Sequence, residues 1–372
     1  MKVKFKVFGA SFDPSDSITK IAIKRKYIED LAFKRPSKHN LYLDAYEAFI
    51  KESKILDNPI FEKVGKFPVE SWLRAKPDVE DAIFLDPLEF RTFLDTNGCK
   101  EYMELMTKFI EDKIFPDYPL MIGADHSLTG GVLKALAKKY GPQNISIIIL
   151  DGHFDAIPTD LRLGLANYSK EHKDEIQIVF PEMIDSIVDG PEIPNTYNCG
   201  TFLKYLVDNK IIYPENMIVY GCLDYPDENY RKIEDDNVKK YVDLYLSFEK
   251  KGSKFIPYSK NYDQMNQKFK DTINEIETPY LYISIDVDVG ALNSILAARF
   301  MDFIGVDEKC LIDISKIINN FLLSSETKLI GMDIMEIEIF FINAELKSGK
   351  KDKTISIMDN FLQLILESYK QL

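Results

Sequence analysis

A chain of 372 residues with 45% hydrophobic and 29% charged residues can bury a sizeable core, which excludes wholesale disorder. Its formal net charge of −13 excludes nucleic acid as the main partner, because phosphate binding needs a concentrated basic face. No apolar run approaches the ~20 residues needed to span a bilayer, so no membrane partner is expected.

The opening segment MKVKFKVFGA alternates charged and apolar residues, unlike a signal peptide, and predicts a strand over residues 3–9. Residues 51–81 are irregular. The segment PLMIGADHS then places His126 at a strand exit before a helix. Residues 128–140 carry helical spacing, with Ser127 as the expected N-cap and Gly141-Pro142 as the stop. Strands are predicted over 145–150, 217–220, 280–285 and 329–334, each nearly continuous in apolar residues, as in strands buried on both faces of a parallel sheet. Helices are predicted over 202–209, 308–323 and 353–369, while 224–271 reads as a polar elaboration on the sheet. Alternating strands and helices imply an α/β fold, a three-layer α/β/α sandwich with a mainly parallel sheet. No linker demands a second domain, so residues 1–372 are expected to form one. The four cysteines (Cys99, Cys199, Cys222, Cys310) form no C-x-x-C pair, which points to reduced thiols and a cytoplasmic location.

The chemistry concentrates at strand ends. Of the four histidines, His39 and His172 lie in polar, lysine-rich surroundings and are expected at the surface, whereas His126 and His153 sit beside aspartates. In ISIIILDGHFDA, Asp151, His153 and Asp155 occupy alternate positions and point the same way while the chain stays extended. YLYISIDVDVG places Asp286 and Asp288 after another strand, and KLIGMDIMEIEIF ends with Asp333, Glu336 and Glu338. A single D-x-D is more often a loop or cap feature than a ligand pair. Several converging aspartates, however, would repel one another without cations, and the mixed oxygen and nitrogen donors suit manganese or a similar first-row ion.

These segments resemble the ureohydrolase (arginase, agmatinase, formimidoylglutamase) superfamily. GADHS is similar to its G-G-D-H-S motif, DGHFD to D-A-H-x-D, SIDVDV to S-x-D-x-D, and GMDIMEIEI to G-x-D-x-x-E, with FGASFD similar to the first strand and loop. The resemblance implies two divalent metal ions, bridged by Asp151 and Asp286, with His126 and Asp155 on one ion and His153 and Asp288 on the other. It further implies that Glu336 pairs with the substrate's guanidinium-like group. Hydroxide would attack the amidine carbon, and Asp155 would shuttle a proton to the leaving amine. The expected substrate is a linear amidine or guanidino compound such as agmatine or arginine, releasing urea, and a trimeric or hexameric homo-oligomer is implied. Alternatives are a formimidoylglutamase-like hydrolase, an amidohydrolase or deacetylase, and a non-catalytic metal-bound scaffold.

Two features depart from the family pattern. In TYNCGTFLKYL, Cys199 stands where many members place a substrate-facing histidine, either lining the substrate site or serving as a small buried apolar residue. DGHFD and the missing histidine both lean toward the formimidoylglutamase branch. The loop after SIDVDV reads GALNSILAARFMDFIGV, without proline, and its Arg299 is expected either to face a substrate carboxylate or phosphate or to lie on the surface.

Overall fold

The computed structural model describes residues 4–15, 17–35, 41–172, 194–290, 295–300 and 304–367. Within them the strands are β1 (Phe5–Ala10), β2 (Phe61–Lys66), β3 (Tyr118–Gly123), β4 (Ile145–Leu150), β5 (Met217–Tyr220), β6 (Lys254–Ile256), β7 (Tyr280–Asp286) and β8 (Lys328–Met335). They form one eight-stranded sheet in the order β2-β1-β3-β8-β7-β4-β5-β6. Every neighbouring pair is parallel.

β4 illustrates why the middle of the sheet forms. Its sequence ISIIIL is buried at every position, and branched side chains pack well on a pleated surface. Ile147 and Ile149 join the core on one face, and Ile148 and Leu150 join the core on the other. Each such isoleucine contributes about 1.5–3 kcal/mol of burial.

The helices are α1 (Ile18–Ala32), α2 (Ala45–Glu52), α3 (Pro87–Asp95), α4 (Gly98–Phe109), α5 (Thr129–Tyr140), α6 (Thr159–Glu171), α7 (Phe202–Asp208), α8 (Asp236–Lys250), α9 (Tyr262–Ile273), α10 (Glu308–Ser324) and α11 (Thr354–Ile365). α1, α4, α5, α7 and α8 supply side chains to the first core, and α2, α9, α10 and α11 to the second. The result is the expected three-layer sandwich. α10 shows the local logic: the Asp307 side chain accepts from the Cys310 amide at 2.7 Å and caps the helix. Leu311, Ile314, Ile318 and Phe321 then fall on one buried face.

Three sequence expectations change. The stretches 51–81 and 224–271 are not mere elaborations, because they contain the two edge strands β2 and β6. Ser127 does not cap α5: its own amide and hydroxyl both donate to Asp125, which starts a short 3-10 turn (His126–Leu128) leading into the helix. The last helix ends at Ile365 rather than running on to 369, and 368–369 lie outside the described residues. No helix among the described residues is long and apolar enough to cross a membrane.

Candidate metal centre

In a parallel sheet all carboxyl ends lie along one edge, where ligands bind. The four consecutive strands β3-β8-β7-β4 each carry an acidic or imidazole residue at that edge. β3 runs into Asp125 and His126, β4 into Asp151, His153 and Asp155, β7 into Asp286 and Asp288, and β8 into Glu336.

His126 is fully buried, its ring 4.7 Å from that of Phe202 in α7. Its Nε2 lies 2.7 Å from the Ser284 hydroxyl. Ser284 in turn donates to Asp333 Oδ1 at 2.7 Å, while Tyr282 and Thr129 donate to Asp333 Oδ2 at 2.6 and 2.7 Å. As Ser284 spends its only proton on Asp333, its oxygen must accept from His126 Nε2–H. Nδ1 is therefore the nitrogen left to take a metal or, without one, a proton, and it faces Asp155 Oδ2 at 3.1 Å and Asp151 and Asp286 at 3.4 Å each.

The β4 and β7 ends interlock through their backbones. The His153 amide donates to Asp151 Oδ1 at 2.7 Å, the Asp288 amide to Asp286 Oδ1 at 2.9 Å, and the Gly152 amide to Asp288 Oδ1 at 3.0 Å. His153 Nδ1 lies 2.8 Å from Asp288 Oδ2. Behind them, Asp224 accepts from the Phe154 amide and from the Tyr245 hydroxyl. The outcome is two ligand groups: His126, Asp151, Asp155 and Asp286, and then Asp151, His153 and Asp288. Within each, one donor atom per residue lies within 4.8 Å of the others. Asp151 belongs to both.

The electrostatics call for added positive charge. Burial and the neighbouring carboxylates push Asp151 and Asp286 well above the usual carboxylate range. Burial alone would lower His126, but Asp151, Asp155 and Asp286 outweigh it and raise the imidazole well above its ordinary value. Asp288 is the exception, since His153 holds it down against burial. Asp151 Oδ2 is buried at the junction of the two groups without a hydrogen bond of its own, with His126 Nδ1 3.4 Å away. A divalent cation satisfies such an atom, and an all-oxygen-and-imidazole donor set fits first-row ions.

Beside this cage lies a second charged cluster. Glu336 is buried in the left-handed backbone region at φ 58°, a strained conformation for a residue with a side chain. Its Oε1 accepts from the His126 amide at 2.7 Å and its Oε2 lies 3.2 Å from the Arg299 guanidinium. Arg299 also reaches Asp125 Oδ2 at 2.7 Å, Asp13 Oδ1 at 2.8 Å and the Ala124 carbonyl at 3.1 Å. Lys24 holds the other side of Asp13 through its backbone oxygen at 2.5 Å and its carboxylate at 3.4 Å. Arg299 is thus not a surface residue: the carboxylates of three distant segments enclose it.

The family model described as Arginase family matches residues 65–348, well over half of the chain. The chain belongs to the arginase family. Compared by sequence alone, no curated protein matches it. Among solved structures, formimidoylglutamase from Bacillus subtilis subsp. subtilis str. 168 is similar at 17% identity and TM-score 0.53, covering 100% of this chain and 88% of that one. Agmatine ureohydrolase of Thermoplasma volcanium is similar at 16% identity and TM-score 0.51, covering 99% and 92%. Arginase from Bacillus subtilis is similar at 15% identity and TM-score 0.51, covering 98% of each chain. At these identities the likeness is one of fold.

Within this arginase-family site, the six residues expected as ligands all fall in the two groups, with Asp286 in the first group only. Cys199 lies within reach of Asp125 and Glu336 rather than with the cage, and burial and those two carboxylates raise its thiol well above the usual value. His172 stacks on Tyr168 at 4.2 Å and joins neither ligand group, while His39 lies outside the described residues. Sequence reasoning missed Asp13, Asp125, Ser284 and Lys24. The aspartates and the serine sit inside the motifs that carry the family resemblance, so their positions were visible although their partners were not.

Proposed function

We propose that this member of the arginase family is a binuclear metal-dependent hydrolase that cleaves a C–N bond of a linear amidine. The observation that carries the reading is Asp151 standing in both ligand groups with one buried oxygen unpartnered. In this reading His126, Asp151, Asp155 and Asp286 would hold one ion and Asp151, His153 and Asp288 the other, with Asp286 a shared ligand only by the family resemblance. Two divalent ions, manganese first among them, supply electrophilic polarisation and lower the pKa of water.

The chain's own residues do the rest. Asp155 has one oxygen toward His126 and the other 3.8 Å from Arg162. From there it takes a proton from the attacking water and delivers it to the leaving nitrogen. Ser284 and Asp333 keep the His126 ring in its ligating tautomer. One substrate class in this reading is a guanidino compound such as agmatine or arginine, with urea released. A specific observation favours the second class, a formimino compound: Arg299 already stands 3.2 Å from Glu336 Oε2 while the His126 amide donates to Oε1, so a guanidinium would meet another cation at its expected partner. A cytoplasmic trimer or hexamer belongs to the same reading, and the four free thiols support the compartment.

The test is manganese loading with metal analysis of wild type and Asp286→Ala, followed by assays of urea from agmatine and arginine and of formamide and ammonia from formiminoglutamate. Metal retained by wild type and lost by the variant, with turnover of either class, supports the reading. Less than about one ion per loaded wild-type chain removes its basis.

A further inference from the structure

Arg299 poses a question that the cage does not answer. An arginine only 6% exposed, its guanidinium reached by three carboxylates and the Ala124 carbonyl and lying 5.0 Å from the Phe300 ring, binds Asp125, the neighbour in sequence of the candidate ligand His126. Its backbone amide donates to the Glu336 carbonyl at 2.7 Å, so the side chain and main chain of Glu336 are gripped by the same residue. Burying a guanidinium costs several kcal/mol, and packing alone would be served better by an apolar side chain. The cluster therefore reads as a seat whose shape and charge select a guanidinium.

We propose that Arg299 is a specificity-determining residue: it fills, from within the chain, the seat at Asp125 and Glu336 that a guanidinium-bearing substrate would need. The inference rests on the hydrolase reading for its meaning in catalysis, but the seat stands on geometry alone. A guanidinium carries five N–H donors, and even Arg299 leaves its buried Nε without a hydrogen-bond partner in this seat. Glu336 Oε1 is taken by the His126 amide, and Glu336 Oε2 and Asp125 Oδ2 are taken by Arg299. A substrate guanidinium must displace Arg299 or share these carboxylates with a second buried cation, whose repulsion opposes its binding. A formimino group has one nitrogen fewer and makes a smaller demand. The wild-type chain therefore rejects guanidino compounds in favour of smaller amidines, and vacating the seat reverses that preference.

The experiment uses guanidinium chloride and agmatine at low concentration as probes, with sodium chloride as control. Wild type, Arg299→Ala and Arg299→Ala/Glu336→Gln are melted with each probe, and agmatine affinity is measured by calorimetry. Arg299→Ala should melt below wild type and be raised by about 2 °C or more by guanidinium, whereas wild type is not. The Glu336→Gln addition should abolish the rescue. Agmatine should bind Arg299→Ala at least ~10-fold more tightly than wild type. Absence of rescue, an equal rise in wild type, or tighter agmatine binding by wild type overturns the proposal. If Arg299→Ala does not fold, Arg299→Lys replaces it: the lysine keeps the charge but loses the fork, and should still gain from guanidinium. Rescue in a chain that holds no metal pair sinks the hydrolase reading and leaves the seat intact.

Discussion

His126 Nε2 sits 2.7 Å from the Ser284 hydroxyl, and the proton it donates there leaves Nδ1 as the nitrogen able to take a metal. Ser284→Ala removes the acceptor and lets the ring settle in either tautomer. Manganese affinity should fall ~10–100-fold, with the secondary structure unchanged. Calorimetric metal titration checks this, and an affinity equal to wild type would mean that something other than Ser284 orients the ring.

Stripping the metal should change how stability depends on pH. Asp151 and Asp286 are raised by burial and by neighbouring carboxylates, and His126 is raised by the aspartates around it. The folded metal-free chain therefore keeps protons that the unfolded chain has released, so its stability falls as pH rises above the ordinary carboxyl value of ~3.9. Urea denaturation of chelator-treated protein should show this decline, and manganese should suppress it. A metal-free chain whose stability climbs from mild acid to neutrality would contradict the sign.

Asp151→Asn separates repulsion from ligation. In metal-free protein it removes one of the crowded negative charges and should raise the melting temperature at neutral pH. In manganese-loaded protein it removes the shared ligand and should lower it. Parallel melting curves with and without metal decide the matter, and shifts of the same sign in both would refute the shared role.

Asp13 behaves in the opposite sense. Burial alone would raise it, but Lys24 and Arg299 hold it well below the usual carboxylate range. Its contribution is present above the unfolded value of ~3.9 and lost as pH falls through the depressed folded value. Asp13→Asn should cost about 3 kcal/mol near neutrality, and the deficit should narrow below about pH 4. Denaturant titrations on both sides of that pH test the window.

Gly221 follows β5 with φ +103°, and an added Cβ would stand 2.5 Å from Val289 Cγ2 and 3.1 Å from the Asp151 carbonyl oxygen. Gly221→Ala should destabilise by about 1–3 kcal/mol and weaken metal binding through the displaced Asp151 and Val289 segments. A variant as stable as wild type, with its metal affinity intact, would show that the contact relaxes freely.

Much of the fold was readable because the central strands are uninterrupted apolar runs. Ile145–Leu150 and Met217–Tyr220 coincide with the expected spans. β2 escaped because FEKVGK lies at a sheet edge, where half its residues meet water and the apolar signal fades. β6 escaped because three residues are too few to show a period. The six positions whose side chains gather into the two groups were legible because each lies within one short motif. The Arg299 cluster was not, since its partners Asp13, Asp125 and Glu336 come from segments far apart in sequence, and no local pattern records such a meeting.

The cage draws on strands as distant as β3 and β7, so no early fragment of the chain can possess it. Closing those loops is the slow, entropically expensive part of folding. Metal capture should accordingly come last during refolding, making manganese uptake a kinetic reporter of the moment when the two halves of the sheet zip together.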